Sequence, residues 1–210
     1  MAEPERSSQN GSERSRRSER SRQRILLAAG ERFASVGFAK ATIEDIARAA
    51  SVSKALVYVN FSGKEELLEA VLKATLDEWF EVIWSEVDHD TRSVRETIAF
   101  IHRASIEYAW NHPVLGCILN RDSTRLLNLV EQPAREIGED WRRRLVELFT
   151  RGVESGELRD DLDVGQLVEV FRLLSLAFVN RLYDPRGIDV KDTDLIEASI
   201  EVLLRGISKP

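Results

Sequence analysis

A single cysteine, Cys117, in 210 residues excludes an internal disulfide framework, and a lone thiol in such a chain reads as a small buried hydrophobe. No apolar run approaches the roughly 18 residues that a membrane-spanning helix needs, and the first residues lack the apolar segment of a secretory signal. The chain is therefore expected in the cytoplasm, with no membrane partner. Neither a glycine-rich phosphate loop nor a nucleophile elbow is present. With three histidines in all, the one run suggesting a metal is Asp88-His89-Asp90. It falls where a long helix should end and has no His or Cys partner near it in sequence, so it reads as an exposed helix-ending turn. No metal, cofactor or catalytic residue is expected.

What is present is an ordinary globular mixture, 43% hydrophobic and 31% charged, with its charge unevenly divided. Residues 1–64 carry 12 Lys and Arg against 7 Asp and Glu, a net of +5, within a chain whose total is −6. The remaining 146 residues carry 18 against 29, a net of −11. A small basic module on a larger acidic body suits local phosphate binding, because steering depends on the charge near the contact face.

The first twenty residues are mostly Ser, Arg and Glu with almost nothing to bury, and are expected to form a disordered arm. Its inner arginines, such as Arg16, Arg17, Arg20 and Arg22, lie beside the first folded helix and are candidates for phosphate or minor-groove contact. From Arg22 the pattern is helical. Ile25, Leu26, Ala29, Phe33 and Val36 recur at three and four, and Gly37 stops the run. In "TIED", Thr42 is the N-cap and Asp45 the third helical position of a short helix with Ile43, Ile46, Ala47 and Ala50 inside. Ser51 and Val52 make a turn, and Ser53 caps a second short helix ending near Asn60 or Phe61. Two short helices across a tight turn, after a supporting helix, make a helix-turn-helix.

In the second short helix Val57 and Phe61 point inward with Val52, which leaves Lys54, Ala55, Tyr58 and Asn60 outward. Lys54 and Asn60 are able to donate to bases or phosphates, Tyr58 to bond a phosphate or lie on a thymine methyl, and Ala55 to permit close approach. The next turn, "SGKE", reads as a capping box from Ser62 to Glu65. It opens a long helix with Lys64 in its first turn, where the helix dipole disfavours a cation and a bound phosphate would accommodate it.

The run "GFAKATIEDIARAASVSKALVYVNFSGKEELLEAVL" closely resembles the DNA-binding domain of the tetracycline-repressor-like (TetR) family of transcriptional regulators. Thr42, Asp45-Ile46-Ala47, Ala50, Val52-Ser53, Tyr58, Phe61 and Lys64-Glu65 carry the likeness, which spans about Arg22 to Leu72. The resemblance implies a homodimer that binds a pseudo-palindromic operator in double-stranded DNA and lets go when a small-molecule inducer enters its second domain. The expected DNA-binding set is Thr42, Glu44, Ser53, Lys54, Ala55, Leu56, Tyr58, Val59, Asn60 and Lys64, with Arg20 and Arg22 from the arm. Three positions depart from the usual pattern: Ser51 stands where glycine is common, Leu56 replaces a threonine that commonly bonds a phosphate, and Glu44 is an acid that can only accept from a base.

The reading is all-α: an arm over 1–20, a helix-turn-helix module over 21–67, and a helical ligand-binding and dimerisation domain over 68–210. In that larger domain Val94, Ile98, Ile101, Ser105 and Tyr108 share one face of a helix that stops before Pro113. A shorter segment follows, then a long helix from Pro133 to Ser155 with Trp141, Leu145 and Leu148 inside. Gly156 closes that helix, and Asp163 caps the next. "VGQLVEVFRLLSLAFVNRLY" is apolar on nearly every side, a surplus expected to be a dimer interface. Phe171, Leu174 and Phe178, with Ile200 and Leu203 from the last helix, are its candidates. Trp79, Trp84, Phe100, His102, Tyr108 and Phe178 are the candidates for binding an apolar or aromatic inducer. Repressor is the favoured mode, activator of the same fold the alternative, and a helical enzyme or metal-binding protein a more distant one.

Overall fold

The structure is a computed structural model that describes residues 5–87, 92–112, 114–115, 124–182 and 193–209. Its eight helices among the described residues are α1 (Glu5–Val36), α2 (Ile43–Ala49), α3 (Lys54–Asn60), α4 (Lys64–Ser85), α5 (Val94–Asn111), α6 (Thr124–Glu154), α7 (Val164–Leu182) and α8 (Thr193–Ile207). Among those residues the only β pairing is an isolated bridge between Leu158 and Ser208. Cys117 and the Asp88–Asp90 run lie outside the described residues.

The chain divides into two compact units, Met1–Leu72 and Lys73–Pro210. The first extends beyond the boundary at residue 67 expected from sequence, and the reason lies in α4: Leu67, Leu68, Val71 and Leu72 on its first turns are all buried. They join Ile25, Ala29, Phe33, Ile46, Val57 and Phe61 among the buried residues of this unit. Val36, expected inside, is 37% exposed, because α1 ends there and Gly37 turns the chain away at φ 79°. The arm also differs from expectation, since α1 is one continuous helix from Glu5. Residues 15–20 on it are all exposed, so the extension satisfies its backbone hydrogen bonds within the helix while burying no side chain there.

In the second unit, Ser93 and Glu96 form a reciprocal capping box that starts α5. Its expected inner face is buried throughout: Val94, Ile98, Ile101, Ser105 and Tyr108. Val94, Ile98 and Ile101 pack in a core that includes Trp141, Leu145, Leu148 and Phe149 of α6, Val168 and Phe171 of α7, and Leu203 and Ile207 of α8. Helix α6 begins at Thr124, nine residues before the expected start. Asp163 caps α7 as expected, its carboxylate accepting from the Gln166 amide at 2.8 Å. Gly152 sits inside α6 because a Cβ there would lie 2.6 Å from Leu158 Cδ1 and 2.8 Å from Val94 Cγ1. No described helix is long and apolar enough to cross a membrane.

Candidate nucleic-acid interface and the aromatic interior

Helix α2 ends in a Schellman motif. The Val52 amide donates to the Ala47 carbonyl at 3.0 Å and the Ser51 amide to the Arg48 carbonyl at 3.1 Å. This requires a left-handed residue at the turn, and Ser51 takes it at φ 54°, the only positive φ outside glycine among the described residues. At the front of α2, Thr42 Oγ1 accepts from the Asp45 amide at 3.1 Å and donates to its carboxylate at 2.7 Å. That hydroxyl, followed by Arg32 and Arg48, holds the Asp45 carboxyl below its usual range. Ser53 Oγ caps α3 by accepting from the Leu56 amide at 3.1 Å.

These caps fix which side of α3 faces solvent. Val57 is fully buried, while Lys54 and Ala55 are exposed, Tyr58 is half-exposed and Val59 is 80% exposed. Asn60, expected among the outward readers, instead donates its amide to the Leu56 carbonyl at 2.7 Å. A side chain that satisfies its own helix is drawn back from the surface, so Val59 takes its place in the displayed set. Leu56 is partly buried beside it.

Two expected phosphate donors are also engaged. Lys64 Nζ donates to the carbonyls of Phe38 at 2.8 Å, Ala41 at 3.0 Å and Ala39 at 3.3 Å, and it lies 4.5 Å from the Phe38 ring centroid. An ammonium has three donors, and all three have partners here. The misfit of a cation at a helix start is resolved by the α1–α2 loop. Ser62, in turn, pairs through its amide with Glu66 at 2.7 Å instead of with Glu65. The Gly63 carbonyl accepts the first helical bond, from Leu67, which moves the third helical position to Glu66. Arg22 lies over the Phe61 ring at 4.5 Å and donates to the Asn60 carbonyl at 3.5 Å. Arg20, Thr42 and Glu44 are exposed, with Glu44 paired to Arg48 at 3.4 Å.

Residues 25–71, the segment that builds this surface, match the family model described as "Bacterial regulatory proteins, tetR family". The chain carries the DNA-binding domain of the tetR family of bacterial regulatory proteins. Along most of its length the regulator is similar to the HTH-type transcriptional repressor KstR2 of Mycobacterium tuberculosis, at 28% identity over 189 residues, covering 88% of this chain and 92% of the relative. A solved structure of the ketosteroid transcriptional regulator KstR2 from that organism superposes with a TM-score of 0.64 at 26% identity, covering 90% and 95% of the two chains. The fold is also that of FadR from Bacillus subtilis, solved in complex with stearoyl-CoA, with a TM-score of 0.69 at 20% identity over 88% and 98%.

Inside the regulator's second unit the expected ligand residues separate into two groups. Trp79, Trp84 and Tyr108 belong to one aromatic ladder. His112 stacks on Tyr108 at 3.7 Å between ring centroids, Tyr108 on Trp79 at 5.9 Å, Trp79 on Phe80 at 5.6 Å and Phe80 on Trp141 at 4.6 Å. Trp84 meets the Trp141 edge at 5.5 Å. The heptad-like spacing of Phe80 and Trp84 on α4 was the available signal for this arrangement; nothing in sequence marked His112. His102 and Phe178 make the other group, with rings perpendicular at 5.5 Å. His102 is fully buried and bonds Ser175 Oγ of α7 at 2.8 Å and Ser199 Oγ of α8 at 3.0 Å. Burial and, secondarily, Arg103 lower its pKa to about 4, so the imidazole is neutral near pH 7. Phe100 stands apart from both groups, under the Arg92 guanidinium at 4.3 Å.

The expected interface residues lie largely inside the single chain. Phe171, Ile200 and Leu203 are buried within the single chain, and Leu174 and Phe178 are partly buried. The exposed apolar side chains are instead Val170, Leu173 and Leu176 on α7, and Leu195 and Val202 on α8. The surplus apolar surface exists, rotated from where the sequence suggested.

Proposed function

We propose that this regulator is a repressor that binds operator DNA as a homodimer in the cytoplasm and releases it when an apolar small molecule enters the aromatic interior of the second unit. The observation that carries the DNA reading is the displayed face of α3, where Lys54, Ala55, Tyr58 and Val59 stand outward on a helix fixed by caps at both of its approaches. A short helix so presented fits the major groove, with Lys54 on phosphate or guanine and the apolar members on thymine methyls. Repression is supported by the relative's name. A large apolar effector is supported by the stearoyl-CoA held by the B. subtilis structure of the same fold and by the ladder from His112 to Trp141.

Dimerisation is attributed to Val170, Leu173, Leu176, Leu195 and Val202, because apolar side chains left exposed on each of the last two helices are what a second copy would cover. Linkage requires that operator and effector weaken each other's binding by the same factor. The test is recovery of genomic fragments by the purified chain, followed by mobility-shift titration. Recovered sites should show two related half-sites about one helical turn apart, and Tyr58→Ala should abolish their selection. Fragments bound without sequence preference would refute the assignment.

A further inference from the structure

Two hydrogen-bond donors in the aromatic ladder have no partner among the described residues: the Tyr108 hydroxyl and Trp79 Nε1, both on buried atoms. Tyr108 is only 8% exposed, and its ring stacks with His112 at 3.7 Å and with Trp79 at 5.9 Å, both within 7° of parallel. The hydroxyl itself is buried from solvent. Buried polar groups are almost always paired in native structures, so two orphans on one stacked pair mark a place that something else completes. An indole N–H can only donate. The phenol is kept protonated by burial and by the negative field of Glu78, so it also presents a hydrogen. The missing partner is therefore an acceptor, and Glu78 nearby disfavours one that is itself an anion.

We infer that the effector is an apolar molecule bearing an uncharged carbonyl oxygen (a ketone, ester, thioester or amide) which accepts from the Tyr108 hydroxyl and the Trp79 indole, while its apolar body lies along the ladder of Phe80 and Trp141. This rests on the effector reading above and adds the chemical group that the site selects. A hydrocarbon of the same shape makes the apolar contacts but leaves the donors unpaired; a carboxylate pairs them at the cost of repulsion by Glu78.

Three matched probes test it on the full chain: 2-acetylnaphthalene, 2-ethylnaphthalene and 2-naphthoate, titrated by tryptophan fluorescence and thermal shift. The ketone should bind about thirtyfold tighter than either of the others, the ratio expected for two buried hydrogen bonds. Tyr108→Phe should weaken the ketone about fivefold, leaving the bond from Trp79, and keep the hydrocarbon within about twofold. In the absence of probe this variant should melt no lower than the parent, since it removes an unpaired group. Equal affinity for ketone and hydrocarbon overturns the inference alone, as does tightest binding of the naphthoate. A melting temperature lowered by several degrees in probe-free Tyr108→Phe also overturns it, by showing that the hydroxyl already has a partner. Failure of all three probes to bind overturns both the inference and the effector reading.

Discussion

Lys64 and Val59 exchange the roles that their types suggest. A lysine at a helix start next to a DNA-binding helix invites a phosphate, yet its three bonds to Phe38, Ala39 and Ala41 make it the tie that fixes the α1–α2 loop. Lys64→Met should destabilise the first unit by about 1–3 kcal/mol in chemical unfolding, because those carbonyls lose their donor. A variant that unfolds like the parent and loses only DNA affinity would return Lys64 to the phosphate. Val59, a residue with no polar side-chain atom to offer, is 80% exposed on α3. If it reads a thymine methyl, replacing the contacted thymine by deoxyuridine should weaken the parent about three- to fivefold, from the loss of one buried methyl. Val59→Ala should be nearly indifferent to the same change. Periodicity identified the outward positions of α3 correctly at Lys54, Ala55 and Tyr58. It had no means to show that the Asn60 amide would prefer the Leu56 carbonyl, because that competition is settled by local geometry within one turn.

Among the elements, the α2–α3 turn was the most legible from sequence, since caps announce themselves by residue type: Thr42, Ser53 and Asp163 cap as read. The turn carries a cost at Ser51, whose left-handed φ of 54° is unfavourable for any residue with a Cβ. Ser51→Gly should stabilise the unit by about 1 kcal/mol, seen as a raised unfolding midpoint without altered DNA selectivity. A lowered midpoint would mean that the Ser51 side chain contributes more than its backbone costs. Helix α7 was the least legible. A helix apolar on nearly all sides has no phase to read, so its apolar surplus is legible in the sequence while the side chains that stay exposed in the single chain, such as Leu173, are not. The observed face makes a sharper test: Leu173→Glu, at a position 64% exposed in the single chain, should yield folded monomers in sedimentation velocity. A folded dimer unchanged by that substitution would move the interface elsewhere.

On the scale of the whole molecule, the second unit carries a pH dependence of its own. His102 faces Ser175 and Ser199, with Arg103 and Glu197, themselves ion-paired at 2.7 Å, as the charged groups acting on it. Its pKa in the folded chain is about 4, below the ordinary 6.5, so the unfolded chain binds more protons between those values. Stability should be complete above pH 6.5 and fall by roughly 3 kcal/mol as the pH drops to 4, a loss that His102→Gln should flatten in equilibrium unfolding. An identical pH profile in parent and variant would assign the acid sensitivity to other groups. The DNA-binding unit was read from sequence more fully than this one because its chemistry lies in caps and a short motif. Burial of His102 against two helices more than seventy residues away depends on tertiary packing that no local pattern encodes.

The exposed Val59 has a further consequence for the DNA itself. The methyl that distinguishes thymine in the major groove sits on C5 of the pyrimidine, and 5-methylcytosine carries the same group at the same place. A protein that reads with an apolar side chain there accepts either base on that edge. Cytosine methylation at a contacted position should thus strengthen the complex instead of obstructing it, making the regulator's occupancy responsive to the epigenetic state of its operator.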